Sequence, residues 1–162
     1  MTATGTFGLS SEARNLHWLL TNLVREVRGA RSVAVVSSDG LLLLSSDPAQ
    51  HEVADAADGS ASESPRGSSS DLATVISGIS SLTLGAAELM DTGGVKHTMV
   101  AMAQGSVFVM SISDGSLLGL HAGADCDMHD VAYHMAVFVG RAGHVLTPEL
   151  RSELRKSLES AR

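Results

Sequence analysis

Aromatic residues are scarce in this chain: Phe7, Trp18, Phe108, Tyr133 and Phe138 are all there are, 3% of the sequence. Stacking platforms for bases or sugars are therefore few, and the core has to be aliphatic. Cysteine is scarcer still. The single Cys126 cannot close an internal disulfide, which suits a reducing compartment. Positive charge is also short, with 11 Lys and Arg against 18 Asp and Glu, and a net charge of -7 argues against a nucleic-acid partner because nothing offsets the phosphate field. The first residues, Met1 to Leu9, lack the basic and apolar regions of a signal peptide. No apolar run is expected to reach the roughly 20 residues that cross a bilayer. The expectation is a cytoplasmic protein without membrane insertion, any membrane association going through its partners.

Several catalytic signatures are missing too. Only Lys96 and Lys156 are lysines and neither follows glycine, so the phosphate-cradling G-x-x-x-x-G-K-[ST] loop is absent. Neither G-x-G-x-x-G between a strand and a helix nor a G-x-S-x-G elbow occurs. Cys126 stands in Asp125-Cys126-Asp127-Met128-His129-Asp130, but flanking carboxylates oppose a thiolate, and His129 and His134 at i+5 point to different faces of a helix. That segment reads as a helix N-terminus whose acids meet the dipole. No metal, cofactor or catalytic residue is assigned, and the expectation is a protein that is not an enzyme.

What is present is a folding pattern. At 44% apolar and 18% charged, 162 residues form one domain with a substantial core. Leu16, Leu19, Leu20, Leu23, Val24 and Val27 trace a helical stripe, capped by Ser10 or Ser11 and stopped by Gly29 at C′. Ser32 to Ser37 and Leu41 to Leu44 are strands paired through Asp39-Gly40. Residues 47–70 read as a long mobile loop rich in Ser, Ala, Asp and Gly. A helix over 71–91 then carries Leu72, Val75, Ile76, Ile79, Leu82 and Leu89 along one side and ends at Gly93-Gly94. Three antiparallel strands follow, Val95 to Ala103, Val107 to Ile112 and Leu117 to His121, with a second Asp-Gly turn at Asp114-Gly115. A helix over 127–143 buries Met128, Val131, Met135, Phe138 and Ala142, and Thr147-Pro148-Glu149 starts a short amphipathic tail helix that docks or frays. The fold class is α/β (α+β): an α-β-β-α-β-β-β-α sandwich with a five-stranded antiparallel sheet covered by helices.

Two features point to binding. Thr74, Gly78, Ser81 and Gly85 gather on one face of the second helix, and glycines inside a helix want a packing reason such as close approach of another chain. Trp18 projects away from the buried stripe of the first helix beside Arg14, Thr21 and Arg25, the composition of a binding hot spot, unless it packs under the tail helix. His17, His97 and His121 read as ordinary surface or strand histidines.

The element order resembles the Roadblock / dynein light chain family (profilin-like fold). The sharpest similarity lies in Asn15-Leu16-His17-Trp18-Leu19-Leu20-Thr21-Asn22-Leu23 and Val33-Ala34-Val35-Val36-Ser37-Ser38-Asp39-Gly40-Leu41-Leu42, which look like the versions in the bacterial, actinobacterial branch that partners small Ras-like GTPases. The resemblance covers about residues 10–145, leaving a disordered N-terminus at 1–9 and the tail helix at 146–162. It implies a homodimer in which the second helix and third strand meet their copies across a two-fold axis, through Thr74, Gly78, Ser81, Leu82, Gly85, Lys96, Thr98 and Val100. It also implies a small Ras-like GTPase as partner, whose nucleotide cycle is modulated by repositioning the GTPase's own residues, and a sensor-kinase-like protein of the same operon as a further partner. The alternative is a small-ligand sensor module of profilin-like or PAS-like shape, against which the dense Leu/Val/Met core argues.

Overall fold

The computed structural model describes residues 9–46 and 69–160. The expected N-terminal tail and most of the expected 47–70 loop lie outside these residues.

The elements in order are α1 (Ser11–Glu26), β1 (Ala30–Val36), β2 (Leu42–Ser45), α2 (Ser69–Met90), β3 (Thr98–Met102), β4 (Gly105–Ser111), β5 (Leu117–Gly123), α3 (Met128–Val145) and α4 (Pro148–Ser160). The five strands form one antiparallel sheet in the order β2-β1-β5-β4-β3. Alternation along the strands sends their side chains into two separate cores. Val33, Val35, Phe108, Leu118 and Leu120 face α1, α3 and α4, whereas Ala34, Val36, Val107, Val109 and Leu117 face α2. The described residues thus form three layers, with α2 the one helix among them on its side of the sheet.

The caps follow local chemistry. The Ser10 side chain accepts from the Ala13 N–H at 3.2 Å, Asp127 accepts from His129 and Asp130, and Thr147 Oγ1 accepts from the Leu150 N–H. The two Asp-Gly turns are one device used twice, each a three-residue loop ending on a left-handed glycine. The Ser37 carbonyl accepts from Gly40 and Ile112 from Gly115, both at 3.0 Å, and the glycines have φ of +87° and +88°.

Several expectations need correction. Gly29 has the left-handed φ, but it follows the cap residue Val27 by two positions and so sits one residue beyond C′. The left-handed stop of α2 is Asp91 (φ 52°) ahead of the glycines: the Thr92 N–H reaches the Ala87 carbonyl and the Asp91 N–H that of Glu88, a double bond pattern that an aspartate tolerates. The third strand begins at Thr98, not Val95. Met128 is exposed because it is the first residue of α3, ahead of the turn that meets the sheet.

The largest correction concerns α2. Its buried residues are Ala73, Ile76 and Ser80, while Val75, Leu82 and Leu89, expected to share one side with Ile76, are exposed, the last two at 76% and 90%. Apolar residues occur all round this helix, so periodicity did not fix its phase. The sheet did: Ile76 lies over Gly119, flanked on the same face by Ala34 and Val109, and a Cβ on Gly119 would stand 1.9 Å from Ile76 Cδ1. The span Asp71–Met90 is also long and apolar enough to cross a membrane by length and composition, contrary to expectation.

The tail helix docks. Leu150 and Leu154 enter the main core, and α4 packs against β2. Arg151 and Arg155, one turn apart, reach the equivalent aspartates of the two repeated turns: Arg151 Nε lies 3.5 Å from Asp114 and Arg155 Nη2 3.9 Å from Asp39. Glu153 between them accepts from the Ser10 N–H at 2.6 Å, tying α4 to the start of α1.

Candidate protein-protein interface

The expected interface residues on α2 come together as expected from helical spacing. Thr74, Gly78, Ser81 and Gly85 form one exposed line, and none of the described residues lies within 4 Å of a Cβ built on either glycine. Beside that line runs an apolar one, Val75, Leu82 and Leu89, all exposed. A helix apolar enough to span a bilayer therefore turns most of its surface away from its own fold, seated on the sheet by a single narrow stripe.

Strand β3 continues this surface. It is the edge of the sheet, paired only with β4 among the described residues, and its Val100 and Met102 share the α2 face of the sheet through their partners Val107 and Gly105. Thr98 is partly buried opposite Val109, and Lys96 precedes the strand, exposed. Ser80, Thr83 and Leu84 of α2 line a crevice with Val95, Lys96, His97 and Thr98, so the structure brings the helix and strand halves of the expected interface together. The sequence Thr-Met-Val-Ala-Met carries neither charge nor proline to discourage pairing. At the opposite edge, β2 has four residues and α4 packed against it. Among the described residues one edge is protected within the chain and the other is not.

Exposed Met102, Leu84 and Met90 also belong to this surface, while exposed Met99 stands on the same edge strand facing the other side of the sheet, opposite Phe108; sequence reasoning missed all four. Their signal was the lack of any charge between Asp71 and Glu88 on α2 and of polar alternation on β3.

The residues singled out on α1 lie on the opposite side of the sheet. Trp18 is 60% exposed and does not pack beneath α4; Arg14 and Arg25 flank it on the surface, and the Thr21 hydroxyl is turned back onto the His17 carbonyl at 2.9 Å.

Among the described residues the shifted titratable groups each have a local cause. Asp39 is held below the usual carboxylate range chiefly by the Ser37 hydroxyl, with Arg155 adding to it. Asp127 is lowered by the N–H groups of His129 and Asp130, the cap it forms. His121, partly buried in β5, is pushed down by burial and by Arg31. Among the described residues no three His, Cys, Asp or Glu side chains converge as a metal site. His129 and His134 diverge as their spacing required: His129 is near Asp127, while His134 sits between Glu26 (3.4 Å) and Asp130 (3.3 Å). A cleft of about 300 Å³ opens between Gly40–Leu42, Ala73, Thr74 and the end of α4 at Arg155 and Leu158.

The family model for the Roadblock/LC7 domain matches residues 56–122. A Roadblock/LC7 domain from Streptomyces avermitilis is 26% identical, with 78% of this chain and 92% of that one aligned at a TM-score of 0.62. MglB from Myxococcus xanthus shares the fold at 14% identity, over 81% of this chain and 94% of its own, with a TM-score of 0.64. The gliding protein MglB from Thermus thermophilus does so at 16% identity, over 84% and 91%, with a TM-score of 0.66. No curated protein matches the chain in sequence.

Proposed function

We propose that this chain, whose residues 56–122 match the Roadblock/LC7 domain, is a self-associating, non-catalytic adaptor that binds a small Ras-like GTPase and modulates its nucleotide cycle. The observation that carries this reading is the continuous apolar surface of α2 and the unprotected edge of β3. A second copy satisfies both at once, because a two-fold axis beside β3 pairs the strand with its own copy and lays α2 against α2. The small line Thr74, Gly78, Ser81 and Gly85 permits the close approach, with Leu82 and Val100 supplying apolar area and Lys96 and Thr98 the rim.

A bilayer is the poorer occupant of that surface. Inserting α2 into lipid would strip Ala73, Ile76 and Ser80 from the sheet and leave Gly119 an open socket, whereas a second copy uses α2 where it lies.

The GTPase comes from the resemblance of residues 15–23 and 33–42 to the GTPase-partner branch, and the structural likeness to MglB is consistent with it. In this reading the protein contributes surface and position, and the hydrolytic residues are the GTPase's own. A sensor-kinase-like protein is the further partner in the same complex.

Light scattering after size exclusion at micromolar concentration tests the first half: twice the chain mass of 16.7 kDa is expected, and Leu82→Asp with Val100→Asp should give the monomer. Persistent monomer in the native protein would remove the basis of the proposal. Co-purification with the small GTPase encoded beside it, loaded with GDP and then with a GTP analogue, tests the second half. Nucleotide-dependent binding with a changed turnover rate supports a regulator, and no binding in either state refutes the GTPase assignment.

A further inference from the structure

Three segments distant in sequence leave the cleft of about 300 Å³ between them: the β1–β2 turn running into Leu41 and Leu42, the start of α2 at Ala73, and the end of α4 at Arg155, Leu158 and Glu159. Its apolar floor has a cause visible in α4. Leu150, Leu154 and Leu158 follow one another at i+4; the first two enter the main core, and Leu158, one turn further on, is carried past it and stays half-buried against the cleft. Leu41, the first residue after the turn, is 46% exposed beside the same space. Among the described residues no aromatic ring lines it, which leaves a nucleobase or sugar nothing to stack on. A volume at the lower end of the roughly 300–1,000 Å³ range of ligand clefts suits a small aliphatic metabolite.

Charge narrows the ligand further. Arg155 and Glu159 stand one turn apart on α4, where opposite charges ordinarily pair with each other. Here the guanidinium is drawn the other way, its Nη2 3.9 Å from Asp39, and Glu159 has no ion-pair partner among the described residues. Asp39 has a donor of its own in the Ser37 hydroxyl, so this long contact leaves Arg155 with most of its donors uncommitted. One wall of the cleft therefore offers donors and an acceptor from positions about 5–6 Å apart at Cβ. A ligand with only a carboxylate gains Arg155 but is repelled by Glu159 and Asp39; one with only an ammonium gains Glu159 but is repelled by Arg155. A molecule with both charges on one carbon, beside an aliphatic chain, satisfies Arg155, Glu159 and the leucine floor together.

We propose that this cleft binds a small aliphatic zwitterion of the α-amino acid class, its carboxylate on Arg155, its ammonium on Glu159 and its side chain on Leu41, Leu42 and Leu158. The bound molecule bridges the tail helix to the β1–β2 turn and the start of α2. The site requires neither the GTPase assignment nor self-association.

Leucine is the probe. Titrated into the methyl-labelled full chain and followed by NMR, it should move the methyl resonances of Leu41, Leu42, Ala73 and Leu158 along one saturating curve and leave those of Val131 and Met135, in the core under α3, in place. Isocaproate lacks the ammonium, isoamylamine lacks the carboxylate and glycine lacks the side chain. Each should bind at least about fivefold more weakly than leucine. Glu159→Gln should remove the preference for leucine over isocaproate, and Arg155→Gln the preference over isoamylamine, each substitution leaving the other preference intact. A damaged fold would not sort the two preferences in this way, and unchanged circular dichroism of both variants confirms that the fold is kept. The absence of a saturable shift at these methyl groups, equal affinity for leucine and either truncated analogue, or preferences that survive the two substitutions would overturn the proposal. So would glycine binding as tightly as leucine, since the leucine floor would then contribute nothing.

Discussion

Replacing Gly119 with alanine adds one methyl group at the point where α2 is seated, and the geometry sets its cost. The new Cβ would lie 1.9 Å from Ile76 Cδ1, 2.5 Å from Cγ1 and 3.4 Å from Cγ2. Rotation of Ile76 about χ2 moves only Cδ1, so the Cγ1 contact remains unless the β-branched side chain leaves its rotamer or the helix lifts. Ala34 and Val109 flank Gly119 on the same face and are themselves buried, so the floor cannot recede. Gly119 does not have a left-handed φ, so alanine suits the backbone and recovers about 0.5–1 kcal/mol of strand stability. Overpacking of a dense core costs about 1–3 kcal/mol, leaving a net loss of roughly 1–2 kcal/mol and a fall in Tm of roughly 3–8 °C for a chain of this size. Ile76→Ala removes all three opposing atoms and by itself costs about 2–5 kcal/mol as a cavity mutation. Combined with Gly119→Ala it should cost less than the sum by at least about 1 kcal/mol, since the methyl group refills part of the cavity and meets no obstacle. Urea denaturation of the four proteins in the cycle measures this. Native stability in Gly119→Ala, or additivity in the double variant, would show that Ile76 is not socketed on Gly119.

Three further outcomes follow from the structure. Asp114 is 10% exposed and Asp39 62%, so Arg151→Ala should destabilise the protein by about 1–3 kcal/mol, through a carboxylate left in place with only Ser116 as donor, and Arg155→Ala by under about 1 kcal/mol, both read by urea denaturation. His121 has a folded pKa below its ordinary value from burial and Arg31, so the unfolded chain binds the proton first as pH falls; stability should decline as pH drops below about 6.5, and His121→Asn should flatten that slope in melts taken across pH 5–7. Ser10→Ala removes the side chain that accepts from the Ala13 N–H and should cost about 1 kcal/mol, seen as a lower urea midpoint at unchanged m.

The sequence by itself determined whatever depends on neighbours in the chain. The stripe of α1 has charged and polar residues opposite Leu16, Leu20 and Leu23, so its phase was legible before any sheet existed. The Asp-Gly turns and the Ser10, Asp127 and Thr147 caps follow from donors and acceptors only a few residues apart, and short connections forced β3, β4 and β5 to be antiparallel. The small-residue line of α2 was legible too, since spacing alone gathers 74, 78, 81 and 85. Its role as an interface was not, because that depends on what lies opposite. Tertiary structure decided the rest. In α2, where apolar residues surround the axis, rotation was set by which side chain finds a vacancy in the sheet; Gly119 offers one, Ile76 fills it, and Leu82 and Leu89 are left outside. The docking of α4 likewise needed two turns, 75 residues apart in sequence, to present Asp39 and Asp114 to arginines one turn apart, a match that arises only once β1 and β5 lie side by side.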